Sequence, residues 1–227
     1  MSEFGVRVSQ GRKPAYADFR KFGYNPNVGT SEEYIGPRDG PWRPTEATVI
    51  DVSGSNDDSP GGTGAQEIMI EGLGANYEEI WEPVMMNGQV PVPTVQPFLR
   101  FHRAYVTDSG GDNNVGKILF RAGDVIADIK EGFGQTQLSG YCVPRRRKLL
   151  ITGVNTVIAS SKVVDVIFWQ NPGTKRIVQQ YNGLVGATSF SYDPPIPFTP
   201  RTDLWFTGKT ADVSTVSVEY TGYLSRD

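Results

Sequence analysis

Glu78, Glu79 and Glu82 crowd one short segment of this sequence, and Asp57 and Asp58 another. Glycoside hydrolysis needs two carboxyl groups about 5 to 10 Å apart in a cleft, one with a raised pKa. On a strand, Glu78 and Glu82 share a face while Glu79 points away. Strand surfaces ordinarily carry such glutamates, so no catalytic residue is assigned. Asp108-Ser-Gly-Gly-Asp-Asn-Asn offers oxygen ligands and glycines, as a calcium loop does, but without the spacing or terminal glutamate of an EF-hand. It reads as a hairpin loop, and calcium binding there stays open. Gly61-Gly-Thr-Gly-Ala-Gln lacks the Lys-Ser/Thr of a phosphate loop and runs into a strand. His102 and Cys142 lie in apolar and aromatic stretches and read as packing residues. One His and one Cys make no nitrogen- and sulfur-rich zinc site and no internal disulfide, and no Gly-x-Ser-x-Gly elbow occurs. The expectation is a protein that is not an enzyme, with no cofactor and no metal.

The remaining charged motif is Arg145-Arg146-Arg147-Lys148, which follows Pro144. Four consecutive cations can grip an acidic neighbour or phosphates, or guard a sheet edge. The whole chain is acidic, 22 basic against 25 acidic residues, and no aromatic platform flanks the run. Guarding a sheet edge or contacting a partner subunit is therefore the expected role, and nucleic acid is not an expected partner.

The elements that must carry these residues are strands. The chain holds 26 Gly and 16 Pro among 227 residues, and each one inside a helix would cost about 1 to 3 kcal/mol. β-branched and alternating runs bounded by turn residues appear at 48–53, 66–72, 77–86, 97–106, 116–120, 124–129, 137–143, 148–155, 163–169, 176–182, 203–207 and 215–224. Asn87-Gly88 is a strong hairpin signal. The expected fold is all-β, an antiparallel β-sandwich or jelly roll, with no visible linker dividing the strand-rich part. No run of 18 apolar residues occurs and no signal-peptide core opens the chain, so no membrane partner is expected.

Residues 1–44 read differently. They carry Pro14, Pro26, Pro37, Pro41 and Pro44, and aromatics without a sustained period. Residues 1–21 hold five basic side chains (Arg7, Arg12, Lys13, Arg20, Lys21) against Glu3 and Asp18. The expectation is an extended N-terminal arm over 1–44, in front of a β-sandwich domain over 45–227. Helix is expected in parts of the arm and little else. The arm would dock on a partner through Arg12, Lys13, Tyr16, Phe19, Phe22, Tyr24, Tyr34 and Trp42, since disordered tails are usually poor in aromatics.

A series of segments gives a further expectation: Phe22-Gly-Tyr-Asn-Pro-Asn-Val-Gly-Thr, Gly61-Gly-Thr-Gly-Ala, Glu71-Gly-Leu-Gly-Ala-Asn-Tyr-Glu-Glu-Ile-Trp-Glu-Pro-Val-Met-Met-Asn-Gly, Gln96-Pro-Phe-Leu-Arg-Phe-His-Arg-Ala-Tyr-Val, Asn114-Val-Gly-Lys-Ile, Gly134-Gln-Thr-Gln, Tyr141-Cys-Val-Pro and Pro200-Arg-Thr-Asp-Leu. In order and spacing, over about residues 22 to 224, this series resembles a family of mostly uncharacterised proteins of tailed bacteriophages, especially marine ones. The chain departs from that pattern at Arg145-Arg-Arg-Lys, where a Gly-Lys turn is usual, and at Trp81 and Met85-Met, which replace smaller residues. The resemblance implies a virion or virion-associated β protein assembled in the host cytoplasm. The leading expectation is a capsid cement or decoration protein, a homo-oligomer whose partners are the major capsid protein or other virion proteins. A tail or collar adaptor, fibre or receptor-binding module is the alternative, with Trp81, Trp169 and Trp205 as sugar-stacking candidates.

Overall fold

The structure is a computed structural model that describes residues 3–111, 113–159 and 161–226. The chain begins with a seven-residue helix, α1 (Glu3–Ser9), then β1 (Tyr16–Val28) and β2 (Glu33–Tyr34). Next come β3 (Asp51–Ser53), β4 (Ala65–Leu73), β5 (Glu79–Met85), β6 (Val92–Pro93), β7 (Arg100–Ser109), β8 (Ile118–Ala122) and β9 (Asp124–Ile129). It continues through β10 (Tyr141–Cys142), β11 (Arg147–Ile158), β12 (Val164–Asn171), β13 (Arg176–Leu184), β14 (Ala187–Phe198), β15 (Asp203–Thr210) and β16 (Ser214–Arg226). The fold is nearly all β, and every strand pairing in its sheets is antiparallel. Among the described residues no helix is long and apolar enough to cross a membrane.

The chain divides into two units. Unit 1 comprises residues 1–36 and 139–227, and unit 2 is the intervening segment 37–138. Unit 1 has one sheet in the order β1-β16-β11-β14 and a second in the order β10-β15-β12-β13, with β2 also on β15. The pairing is nested: β1 with β16, β2 with β15, β11 with β14, β12 with β13. β2 and β10 follow one line along β15, Tyr34 opposite Thr207 and Tyr141 opposite Leu204. The Ser139 N–H donates to the Ile35 carbonyl at 3.0 Å, so the chain leaves and rejoins this line within one hydrogen bond.

The two sheets of unit 1 enclose one core, and large rings occupy its centre. Phe168 of β12 stacks on Phe206 of β15 at 4.3 Å, and Tyr220 of β16 meets Phe206 at 5.2 Å and Phe19 of β1 at 5.4 Å. Leu149, Ile151 and Val154 of β11 and Val216 and Val218 of β16 fill the space around them. Tyr220 is fully buried, and its hydroxyl donates to the Ser139 carbonyl at 2.8 Å, which spares it the cost of an unpaired polar group. Burial drives its pKa well above the usual value, so the donor is retained.

Unit 2 has a sheet in the order β6-β3-β8-β9 and a three-stranded sheet in the order β5-β4-β7. Phe101 of β7 meets Phe120 of β8 at 5.1 Å, and Ile68, Ile70, Ala104 and Ile118 are buried in the same unit. Its long loops are held by two buried polar side chains. Asp58 accepts the N–H groups of Ser55, Ala65, Val115 and Gly116 and the Ser55 hydroxyl, at 2.8 to 3.2 Å. Asn114 donates to the Gly116 and Lys130 carbonyls and accepts the Gly134 N–H.

Several expectations change. Residues 1–44 are not an arm: β1 pairs along its length with β16, and Phe19 and Tyr34 are buried in unit 1. The boundary at 44/45 gives way to unit boundaries at 36/37 and 138/139. The helix expected within the first segment is α1. Asn87-Gly88 turns, with Gly88 at φ 62, but it joins β5 and β6, which belong to different sheets and do not form a hairpin. The run 137–143 yields only two strand residues, Tyr141 and Cys142.

Candidate interaction surfaces

Three of the carboxylates that suggested acid–base chemistry, Glu82, Glu78 and Asp58, serve as loop ties. Glu82 accepts the Val95 and Gln96 N–H groups at 2.6 and 2.8 Å, one on each oxygen. Glu78 accepts the Asn76 N–H at 2.9 Å. Burial alone would raise the Asp58 pKa, but the N–H groups of Ser55, Ala65 and Val115 and the Ser55 hydroxyl outweigh it and hold it below the ordinary carboxylate value. His102 and Cys142 are buried, as packing residues should be. In the Asp108–Asn114 loop, Asp112 lies outside the described residues, and Asn114 is spent on backbone partners.

The first exposed surface is one end of unit 1. Pro144–Arg147 turns between β10 and β11, closed by the Arg147 N–H on the Pro144 carbonyl at 3.1 Å. The β14–β15 turn lies beside it: the Arg201 N–H donates to the Val143 carbonyl at 2.7 Å, and the Val143 N–H to the Thr202 carbonyl at 2.9 Å. Arg145, Arg146, Lys148 and Arg201 are exposed and Arg147 is half-buried. The basic run is thus joined by a fifth cation, Arg201, that sequence distance concealed.

The second is the outer face of the three-stranded sheet in unit 2. Strand alternation places Glu82 and Val84 inward and Trp81, Pro83 and Met85 outward. Trp81 is 64% and Met85 54% exposed. Across the β4 register, Trp81, Pro83 and Met85 stand opposite Glu71, Met69 and Glu67 in turn. Arg103 of β7 donates to Glu71 through Nε and Nη2, at 2.7 and 2.9 Å, and lies over the ring of Tyr105, whose hydroxyl donates to Glu71 at 3.2 Å; the guanidinium is 5.1 Å from the ring centre.

The expected arm residues do not form one surface. Tyr16 is half-buried against Phe4 of α1 at 5.2 Å, while Phe22 and Tyr24 are half-buried on the outer face of β1. Arg12 is exposed, Lys13 half-buried, and Trp42 belongs to unit 2. Phe19 and Tyr34 are buried within unit 1 and present nothing to a partner. Of the tryptophans considered for sugars, Trp205 is 3% exposed and Lys175 sits over the Trp169 ring at 3.7 Å. Only Trp81 of those three presents a large open surface.

No family model and no curated protein matches the chain. Among solved structures, the chain is similar to one of the infectious bursal disease virus Gx strain, with 8% identity over 93% of this chain and 71% of that one, at a TM-score of 0.28. A structure of the Gt strain of the same virus gives 9% identity over 93% and 77%, at a TM-score of 0.21.

Proposed function

We propose that this protein is a structural component of a tailed-phage virion, a cement or decoration protein that binds the head and acts by adhesion, not catalysis. The observation that carries the reading is the nested pairing in unit 1. A long antiparallel hairpin rolled into two facing sheets gives that pattern of partners, with the second strand position shared by β2 and β10. This supports a jelly-roll frame, which is used by viral capsid and lectin domains. The step from frame to virion is an analogy of fold, and the resemblance of residues 22–224 to phage proteins supports it independently. Unit 2 is then the segment inserted in the chain at the second strand position. Many copies on a repeating lattice gain avidity without strong single contacts. Its partners are the major capsid protein or neighbouring virion proteins.

Mass-spectrometric stoichiometry of purified particles tests this. Copies in proportion to the major capsid protein support a decoration role. A dozen or fewer per particle move the protein to a tail or collar, and absence from the particle overturns the reading.

A further inference from the structure

The near-neutral chain conceals two oppositely charged units. Unit 1 carries 15 basic and 10 acidic residues, a formal +5, and unit 2 carries 7 basic and 15 acidic, a formal −8. The exposed features of each unit follow that division. Unit 1 ends in the paired turns bearing Arg145, Arg146, Lys148 and Arg201. Unit 2 presents Trp81, Pro83 and Met85 in a row, with Glu71 and Glu67 across from its ends and Glu79 continuing it along β5.

We propose that the Arg145–Arg146 turn of one copy docks on the Trp81–Met85 face of a second copy, joining copies head to tail. The chemistry matches at the level of side chains. A guanidinium stacks on an indole face and at the same time offers its planar fork to a carboxylate. Unit 2 already contains that arrangement, where Arg103 lies over Tyr105 and grips Glu71. Trp81, directly opposite Glu71, repeats the aromatic–carboxylate pair with its ring open. Glu71 already accepts two bonds from Arg103 and one from the Tyr105 hydroxyl, which leaves about one of its four acceptor positions for an incoming arginine, so Glu67 and Glu79 supply the further carboxylates of the contact. Met85 and Pro83 supply apolar area at the centre of the contact, while the charges around it set orientation and encounter rate. Because the two patches differ, the contact is heterologous and propagates, into a ring where the rotation between copies closes and into a filament where it does not. The proposal stands apart from the virion reading and is tested on the isolated full chain.

The test is the solution mass of the full chain at tens of micromolar, by light scattering or sedimentation. It compares about 0.1 M with about 1 M salt, where the screening length falls from about 10 Å to about 3 Å. The proposal expects oligomers at low salt that shift toward monomer at high salt. R145E/R146E and E67K/E79K are each expected to be monomeric, and W81A to weaken association by about tenfold or more, with melting temperatures close to the parent because Arg145, Arg146, Glu79 and Trp81 are exposed and half-buried Glu67 gives up only its bond from the Thr107 hydroxyl. Mixing R145E/R146E with E67K/E79K recreates opposite charges at both patches and restores the oligomer. A monomer at both salt concentrations overturns the proposal. So does an oligomer whose mass is unmoved by R145E/R146E and W81A, or a mixture that stays monomeric.

Discussion

The Tyr34 hydroxyl accepts the Gly140 N–H at 2.7 Å across 106 positions of sequence. Together with the Ser139–Ile35 backbone bond, it fastens the two ends of the segment that forms unit 2 onto the same edge of unit 1. A strand position of unit 1 is thereby completed by residues from either side of a whole second unit.

That closure predicts that unit 2 can be excised. Replacing residues 37–138 with two or three glycines should leave a chain that folds cooperatively with the near-ultraviolet signal of a packed aromatic core, since unit 1 keeps its own core residues. A molten product lacking that signal would show that unit 1 depends on the insertion.

Truncation from the N-terminus distinguishes a strand from an arm. Deleting residues 1–11 removes α1 and the edge-on contacts of Phe4 with Tyr16 and Tyr223, a modest loss measurable as a lower melting temperature. Deleting residues 1–28 removes β1, with buried Phe19 and Val28, and should abolish folding of unit 1. Equal, small effects of both deletions would contradict the assignment of β1 to the sheet.

Asp58 predicts a pH dependence. Its folded pKa lies below the ordinary 3.8, so the unfolded chain binds the proton more readily. The stabilisation is fully present above about pH 4 and is lost as pH falls through the depressed folded value. Asp58→Ala leaves four N–H groups without their acceptor and should cost on the order of 3 kcal/mol or more, confined to unit 2. Hydrogen exchange between pH 3 and 6 reads both effects. Protection of the Ser55, Ala65, Val115 and Gly116 amides that is insensitive to pH and to Asp58→Ala would refute the role.

Gly23 makes a sharper local test. A Cβ there would lie 2.4 Å from the Ile35 carbonyl oxygen and 2.6 Å from the Ser139 nitrogen, the two atoms that close the split strand position. Gly23→Ala should destabilise unit 1 by about 2 kcal/mol or more, beyond any ordinary surface change, and a melting temperature within a degree of the parent would contradict that closeness.

The all-β antiparallel class was legible because Gly and Pro density and β-branched alternation both act locally. β1 was hidden because its inward positions include Lys21 and Gly23 beside Phe19, so the two-residue period is not apolar. β14 was hidden by Pro194, Pro195 and Pro197, tolerated because the strand lies at a sheet edge. The unit division has one mark in the sequence, the formal −8 of residues 37–138 against +5 for the remainder, while its boundary strands β2 and β10, two residues each, give no pattern of their own. The exposure of Arg145 and Arg146 was readable from four consecutive cations after a proline, whereas nothing in the sequence separated open Trp81 from buried Trp205 or covered Trp169. The meeting of the β10–β11 turn with Arg201 was not, because it depends on pairing between β10 and β15.

The most direct test of the central reading is rebinding of the purified chain to phage particles assembled without it. The account predicts saturable cosedimentation in proportion to the major capsid protein, and heads that resist heat or chaotrope better once coated. Particles that take up no protein at micromolar concentration would contradict it.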